Sequence, residues 1–341
     1  MDTGVPEELS SRASAIVSEL GVSDDVRLAE ALVSEALGII TDQPDTLDLK
    51  LATAALAEMR DAYAMFKPYR NKRKVSIFGS ARTRADDPLY DLTRRIARDL
   101  AGKGWMTVTG AGPGIMQAGM EGAGRAMSIG VSIRLPFETS ANSIIAGDAK
   151  HVSMKYFFTR KLMLIKESQA FVCMPGGFGT LDETFELFTL TQTGKGMPVP
   201  IVLLNTPDDT YWQSIDTFVR ETLIARGLVA AHDTVLYTIA DSCEAATAVI
   251  ERFYSNYDSI RYVGDVLVMR MQRGPTPGEL DDLNERFGYL SMSGRIEVAE
   301  PFKIERRDDD RVDLARLAFP FSKRGYSELL SLIDAVNDFT G

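Results

Sequence analysis

The chain has 341 residues, of which 45% are hydrophobic, and its formal net charge is -10. A chain of this length can bury one large core and a smaller second one, so we expect a folded globular protein. The acidic balance argues against a general nucleic-acid binder, because such proteins need a clustered excess of Lys and Arg. Two cysteines and two histidines cannot supply a disulfide framework or the usual zinc cluster.

The N-terminal part, residues 1–70, predicts a helical extension. Apolar residues between positions 7 and 66 recur at helical spacing, and they show no strand-like alternation. The first residues have neither the basic start nor the apolar core of a signal peptide, and no apolar run approaches membrane-spanning length. We therefore expect a cytoplasmic protein that has no membrane partner.

Residues 75–257 show the pattern of a Rossmann-like, doubly wound α/β domain. Helices are expected near 88–102 and from about Pro113, between short apolar runs that read VSIFGS, WMTVTG, IGVSIRLP, QAFVCMP, VPIVLLN and VLYTI. Continuous apolar strands that alternate with helices indicate a parallel sheet covered on both faces. Ligands of such sheets bind at the carboxyl ends of the strands, so the loops after VSIF, MTVT and FVCM are the informative ones.

Residues 258–341 predict a small α+β unit of the order β-α-β-β-α. Its expected strands lie in DVLVMRM, GRIEVAEPFKIE and VDLARLAFP, and its helices in TPGELDDLNERF and YSELLSLIDAVNDF. The run RRDDDR at 306–311 favours a hairpin between the last two strands.

The loop after MTVT contains Gly110, Gly112 and Gly114, with Pro113 expected in the first turn of the next helix. Free N–H groups at that helix start would favour an anion. Tight packing between strand and helix is the alternative explanation of these glycines. A dinucleotide site is less favoured, because residue 115 is Ile where the motif G-x-G-x-x-G requires Gly, and because the loop follows the second strand instead of the first.

The loop after FVCM, PGGFGT at 175–180, has the same expected geometry. The backbone amides of Gly176 to Gly179 and the Thr180 hydroxyl could bind one phosphate group, and the loop lacks the Gly-Lys-Ser/Thr ending of a Walker motif. Three carboxylates follow, at Asp182, Glu183 and Glu186. The alternative is a capping box, in which Thr180 caps the helix and Glu183 reaches back to the Thr180 amide.

Three motifs in this order resemble the Lonely Guy family of nucleoside 5′-monophosphate phosphoribohydrolases, whose members often carry the description lysine decarboxylase. The motifs are FGSAR at 78–82 with the glycine loop at 110–116, Arg160-Lys161, and PGGFGTLDE at 175–183. The resemblance covers about residues 75–255. It implies a Rossmann-like domain, a homodimer or higher homo-oligomer, and no cofactor or metal.

The resemblance also implies roles for individual residues. Arg160 and Glu183 are the implied catalytic pair, although a purely structural salt bridge from Arg160 to Glu183 or Asp182 is the alternative. The phosphate-binding residues implied are Gly176, Gly177, Gly179 and Thr180. The remaining nucleotide-binding candidates are Gly79, Ser80, Gly110, Gly112, Gly114, Met116 and Lys161.

The function implied is hydrolysis of the N-glycosidic bond of a nucleoside 5′-monophosphate, which gives free base and ribose 5-phosphate. Short cytokinin-activating members have Met-His-x-Arg-Lys, whereas this chain has Phe157-Phe-Thr-Arg-Lys161. That difference favours AMP or another purine or pyrimidine nucleotide over cytokinin precursors. The alternative function is a nucleotide-sensing module that binds such a ligand without cleaving it.

Overall fold

The structure is a computed structural model that describes residues 6–135 and 141–339. The chain divides into two compact units, Met1–Asp61 and Ala62–Gly341. Among the described residues, no helix combines the length and the apolar character needed to cross a bilayer.

The N-terminal unit is helical, as its sequence predicts. Its helices are α1 (Glu7–Glu19), α2 (Val26–Thr41) and α3 (Thr46–Phe66), the last of which continues into the second unit. Helix α1 packs against α2 and has Leu9, Ala13 and Val17 on its buried face. These positions are four residues apart, as the face of a single helix requires.

A parallel sheet forms the centre of the second unit and confirms the predicted doubly wound fold. Within the described residues it has seven strands in the order β4-β3-β2-β1-β5-β6-β7. The strands are β1 (Lys74–Phe78), β2 (Met106–Thr109), β3 (Ser128–Ile133), β4 (His151–Met154), β5 (Ala170–Cys173), β6 (Ile201–Leu204) and β7 (Thr238–Ala240). Successive strands add on one side as far as β4, and β5 then returns to the other side of β1. This reversal opens a crevice at the carboxyl ends of β1 and β5.

Helices cover the sheet and bury its apolar strands. They are α4 (Pro88–Gly102), α5 (Ile115–Ala123), α6 (Phe157–Lys166), α7 (Phe178–Gln192), α8 (Tyr211–Phe218) and α9 (Cys243–Phe253). All residues of β1, β2, β5 and β6 are buried, which explains their continuous apolar runs. The edge strand β4 was not predicted, because only Met154 of its four residues is fully buried and the strand has no apolar run.

A second, antiparallel sheet follows, with the order β10-β11-β9-β8. Its strands are β8 (Tyr257–Val263), β9 (Val266–Met271), β10 (Glu297–Val298) and β11 (Ala315–Pro320), and its helices are α10 (Pro277–Phe287), α11 (Lys303–Arg307) and α12 (Tyr326–Asn337). The α+β character agrees with the sequence prediction. Strand β8 was missed, and the predicted boundary at residue 258 falls inside it.

The predicted hairpin at residues 306–311 is wrong. Arg306 and Arg307 end helix α11, and a loop then leads to β11. The physical reason is an ionic cluster, which we define as Arg261, Arg270 and Arg316 with Glu305, Asp308 and Asp310. Glu305 is fully buried and accepts hydrogen bonds from Arg270 and Arg316, so the charged run lies against the sheet instead of turning in solvent.

Candidate active site

A cleft of about 1110 Å³ lies at the carboxyl ends of the parallel strands. Loops after β1, β2, β3 and β5 contribute to its wall, as expected for a doubly wound sheet. The structure brings nearly all predicted site residues to this cleft: Gly79, Ser80, Gly110, Gly112, Met116, Arg160, Lys161, Gly176, Gly177, Gly179, Thr180 and Glu183. Gly114 does not belong to the lining.

The glycine loop after β5 leads directly into helix α7. The helix begins at Phe178, its N-cap is Gly177, and no side chain caps it. Within the described part of the chain, the N–H groups from Gly176 to Thr180 donate no hydrogen bond to a backbone or side-chain acceptor. Uncapped N–H groups at a helix start carry partial positive charge and suit an anion such as phosphate.

The alternative interpretation of Thr180 and Glu183 as a capping box is wrong. Thr180 is the third residue of α7, and its carbonyl accepts a hydrogen bond from the Thr184 hydroxyl at 2.7 Å. The helix begins at Phe178, which places Thr180 inside the first turn instead of at the cap, and a Cβ atom at Gly176 would overlap the Thr180 side chain. Glu183 is therefore not held by its own helix start and lies about one turn further along.

Glu183 faces Arg160 across the cleft wall. The Oε1 atom of Glu183 lies 3.7 Å from Nη1 of Arg160, and the two side chains are 15% and 10% exposed. Burial raises the pKa of Glu183 to about 7, while Arg160 opposes that shift and Asp182 adds to it. A carboxyl group with a pKa near neutrality can exchange a proton at physiological pH, which is a common property of catalytic acids and bases.

Arg160 is fixed from the opposite side by the sheet. Its Nε donates a hydrogen bond of 3.0 Å to the carbonyl oxygen of Val131 in β3. Gly110 leaves room for this arrangement, because a Cβ atom at that position would overlap the Arg160 guanidinium. The contact between Gly110 and Arg160 therefore joins two of the predicted motifs and explains the glycine at position 110.

The other two carboxylates of α7 are paired with a lysine of α6. Lys161 Nζ lies 3.1 Å from Asp182 and 2.7 Å from Glu186. Burial alone would lower the pKa of Lys161, but the hydrogen bonds that Lys161 donates to Glu186 and Asp182 outweigh burial and raise that pKa. The positive charge of Lys161 partly offsets the two carboxylates next to the phosphate loop, and the two ion pairs join α6 to α7. A nucleotide contact of Lys161 stays a prediction.

The glycine loop after β2 differs from the expected anion site. Helix α5 begins at Ile115, so Pro113 lies outside its first turn, and the Ile115 N–H already donates to the carbonyl of Ser80 at 3.0 Å. Gly114 has a φ of 65°, and a Cβ atom there would overlap that same carbonyl. Close packing against the loop after β1 therefore explains Gly114, which was the alternative interpretation.

Sequence reasoning missed several residues of the cleft wall, among them Tyr211, Ser132 and His151, which carry polar groups. The Tyr211 hydroxyl donates a hydrogen bond of 2.7 Å to the carbonyl of Gly176 and so supports the phosphate loop. Ser132 and His151 also line the cleft. Tyr211 is the first residue of α8, directly after the loop that follows β6, and this position was a usable signal because that loop also lies at the carboxyl edge of the sheet.

No metal centre accompanies these groups in the described ranges. Within residues 6–135 and 141–339, no group of three or more His, Cys, Asp or Glu side chains is arranged to hold a metal ion. Both cysteines are buried, and burial raises the pKa of the Cys173 thiol to about 12 and that of Cys243 to about 11. Neither thiol is ionised near neutral pH.

Comparison with known proteins agrees with the motifs. A family model described as "Possible lysine decarboxylase" matches residues 113–250, which include the phosphate loop and the Arg160–Glu183 pair. A probable cytokinin riboside 5′-monophosphate phosphoribohydrolase of Oryza sativa subsp. japonica is 26% identical over 209 residues, 59% of this chain and 94% of the rice protein. The chain is therefore similar, at low identity, to Lonely Guy family proteins.

Other similarities of this chain are more distant or shorter. A cytokinin riboside 5′-monophosphate phosphoribohydrolase of Arabidopsis thaliana is 26% identical over 146 residues, 43% of this chain and 64% of the plant protein. The molybdenum cofactor carrier protein of Chlamydomonas reinhardtii is similar over 53% of this chain and 97% of its own, with 19% identity and a TM-score of 0.37. A TM-score this low says nothing about a shared ligand.

Proposed function

We propose that the protein hydrolyses the N-glycosidic bond of nucleoside 5′-monophosphates to free base and ribose 5-phosphate. The observation that carries this proposal is a buried carboxyl group, Glu183, one helical turn beyond an uncapped helix start. One helical turn rises about 5 Å, and we assign the 5′-phosphate to the helix start and the ribose to Glu183. Relatives named as phosphoribohydrolases support the same reaction.

In the proposed mechanism, the amides from Gly176 to Thr180 bind the 5′-phosphate. As the bond between C1′ and the base nitrogen breaks, positive charge develops on the ribose, as in other glycoside cleavages. Ionised Glu183 stabilises that charge and accepts a proton from the water whose oxygen bonds to C1′. The departing base takes up a proton in turn. Arg160, 3.7 Å away, holds the Glu183 carboxylate in position.

The proposed substrates differ in their base. Phe158 stands where the short cytokinin-activating members have histidine, and its side chain is 49% exposed. The proposed substrates are therefore AMP and other purine or pyrimidine monophosphates. The experiment is to incubate the pure protein with a panel of such nucleotides and to measure released base. Binding without release from any of them would favour the nucleotide-sensing function instead.

We also propose that the protein is a homodimer or higher homo-oligomer. Four apolar side chains on α6 and at the start of α7 are strongly exposed: Phe157 (55%), Phe158 (49%), Leu162 (44%) and Phe178 (93%). An apolar surface of this kind next to a site is typical of an interface between subunits. Sedimentation equilibrium tests the proposal, and a purely monomeric protein at micromolar concentration would contradict it.

A further inference from the structure

A serine and a histidine form a hydrogen-bonded pair in the cleft wall, apart from the groups used above. Ser132 lies near the end of β3, and His151 is the first residue of β4. The Ser132 Oγ and His151 Nε2 atoms are 2.8 Å apart, and both residues line the cleft. Partial burial lowers the pKa of His151 from its ordinary value of 6.5, so the imidazole is neutral at pH 7.

The structure makes room for this pair. His151 is in register with Gly130 of β3, and a Cβ atom on Gly130 would lie 3.2 Å from Cδ2 of His151 and 3.1 Å from Cβ of Ala111. That spacing is tighter than most side chains accept. Gly130 therefore lets the imidazole lie close over β3, beside small apolar residues that share the cleft: Ala111, Ala141, Ala146 and Gly147.

The pair lies at the opposite end of the cleft from the phosphate loop. That loop follows β5, and β3 is three strands away across β1 and β2, a distance of about 14 Å at the usual strand spacing. Arg160 occupies the middle, because it bonds to Val131 of β3 and faces Glu183 of α7. Phosphate loop, carboxylate and polar pair thus follow one another along the crevice.

We infer that Ser132 and His151 bind the polar edge of the nucleobase and determine which nucleotides the cleft accepts. This inference rests on the proposed function, which places the phosphate at the loop and the ribose at Glu183. A nucleobase is a flat apolar ring with donors and acceptors on its edge, and small apolar walls ending in a polar pair match it.

The chemistry of the pair suits this role. A neutral imidazole has one donor and one acceptor nitrogen, and a hydroxyl can donate or accept, so the pair can present either character to a ligand. Among the described residues, Nδ1 of His151 has no hydrogen-bond partner and remains available. A base that matches the pair would bind, whereas a base that left it unpaired would be disfavoured.

The experiment compares ligands with and without a base in the full-length protein. Calorimetry measures the affinity of each nucleoside monophosphate and of ribose 5-phosphate, and free-base release measures kcat/KM. We expect Ser132→Ala and His151→Phe each to lower affinity and kcat/KM for the preferred nucleotide about tenfold. Affinity for ribose 5-phosphate should stay within about twofold, because that ligand does not reach the pair. The double variant should lose about as much as either single one.

A second histidine–serine pair supplies the matched control. Exposed His232 lies 3.3 Å from Ser331 outside the cleft, so His232→Phe should leave both ligands unaffected. Unchanged nucleotide affinity in the Ser132 and His151 variants would overturn the inference. In that case, base release by the wild type would still uphold the proposed function. Equal losses for nucleotide and ribose 5-phosphate would also overturn it, since the pair would then only support the cleft. A wild type that binds no nucleotide would overturn both.

Discussion

At the scale of single residues, Glu183 lies in a buried place that is unfavourable for its ionised form, and the same burial suits its proposed role in proton transfer. Burial raises its pKa to about 7, so the folded protein holds this proton more tightly than the unfolded chain does. As pH rises from about 4.5 through 7, ionisation of Glu183 therefore reduces the free energy of unfolding. The protein retains a group that is destabilising above neutral pH, as expected of a functional residue.

The Glu183→Gln variant separates function from stability. We expect turnover of nucleotides to fall by about 10²–10⁴-fold, because the proton acceptor is lost. At pH 8 the free energy of unfolding should rise by about 1–3 kcal/mol, because the amide does not have to ionise in a buried place. Base release and urea denaturation measure the two effects. A marked loss of stability at pH 8 with full activity would contradict the assignment.

The wild-type pH profile provides an independent prediction. The ionised form of Glu183 is the active one in the proposed mechanism, and its pKa is about 7. We expect kcat/KM to rise about tenfold per pH unit below pH 7 and to level off above it. Initial rates in buffers of constant ionic strength test this. A rate that is flat between pH 5 and 8 would exclude Glu183 as the titrating base.

Tyr211 positions the phosphate loop through one hydrogen bond to Gly176. The Tyr211→Phe variant removes only the hydroxyl and leaves the ring, so we expect KM to increase about three- to tenfold with a smaller change in kcat. Steady-state kinetics measure the two constants. Tyr289, which is 64% exposed, provides a matched Tyr→Phe control whose kinetics should not change.

At the scale of secondary-structure elements, the ionic cluster fixes helix α11 against the antiparallel sheet. Arg270 Nη2 lies 2.7 Å from Glu305 Oε1 and 2.7 Å from Asp310 Oδ2, and the Arg270 and Glu305 side chains are nearly inaccessible. Burial would raise the pKa of Glu305, but the Phe302 N–H and the Arg270 guanidinium outweigh burial and lower it. The cluster is therefore stabilising above pH 4.5, and its contribution is lost as pH falls through the lowered pKa.

Breaking the cluster should destabilise the second unit. The Glu305→Gln variant removes the buried carboxylate from Arg316 and leaves Arg270 with Asp310 as its remaining carboxylate, so we expect the free energy of unfolding to fall by about 3–5 kcal/mol at pH 7. The exposed pair of Arg286 and Asp282 serves for comparison, since Asp282→Asn should change stability by less than about 0.5 kcal/mol. Urea denaturation measures both. Equal losses of stability in the Glu305→Gln and Asp282→Asn variants would show that the buried cluster stabilises the protein no more than an exposed ion pair does.

At the scale of the whole molecule, the cleft belongs to one unit. Its lining runs from Gly79 to Tyr211, entirely within residues 62–341. Residues 1–61 contain 13 of the Asp and Glu residues but only four of the Lys and Arg residues, so most of the net negative charge of the chain is in the helical unit. The unit that would bind a phosphorylated ligand is close to neutral.

Removal of helices α1 and α2 tests this division. A chain that begins at residue 46 keeps α3 and every residue of the cleft lining, so we expect nucleotide affinity within about threefold of the full-length value. Calorimetry measures the affinity, and circular dichroism confirms that the shortened chain is folded. A folded chain that no longer binds nucleotide would show that the helical unit is needed for the site.

The sequence by itself determined the doubly wound sheet, the helical extension and the motifs that meet in the cleft. These features depend on local patterns, such as the apolar runs of buried strands and glycines at strand ends. It did not determine β4 and β8, because an edge strand or a strand beside an ionic cluster carries polar residues that hide the pattern.

Only the tertiary structure decided which groups act together. Glu183 could be a helix cap or a buried carboxyl group, and the choice depended on the residue at which α7 begins. The contact of Gly110 with Arg160 and the pairing of Ser132 with His151 join segments that are distant in sequence. Such contacts arise from strand order and packing, which no local pattern specifies.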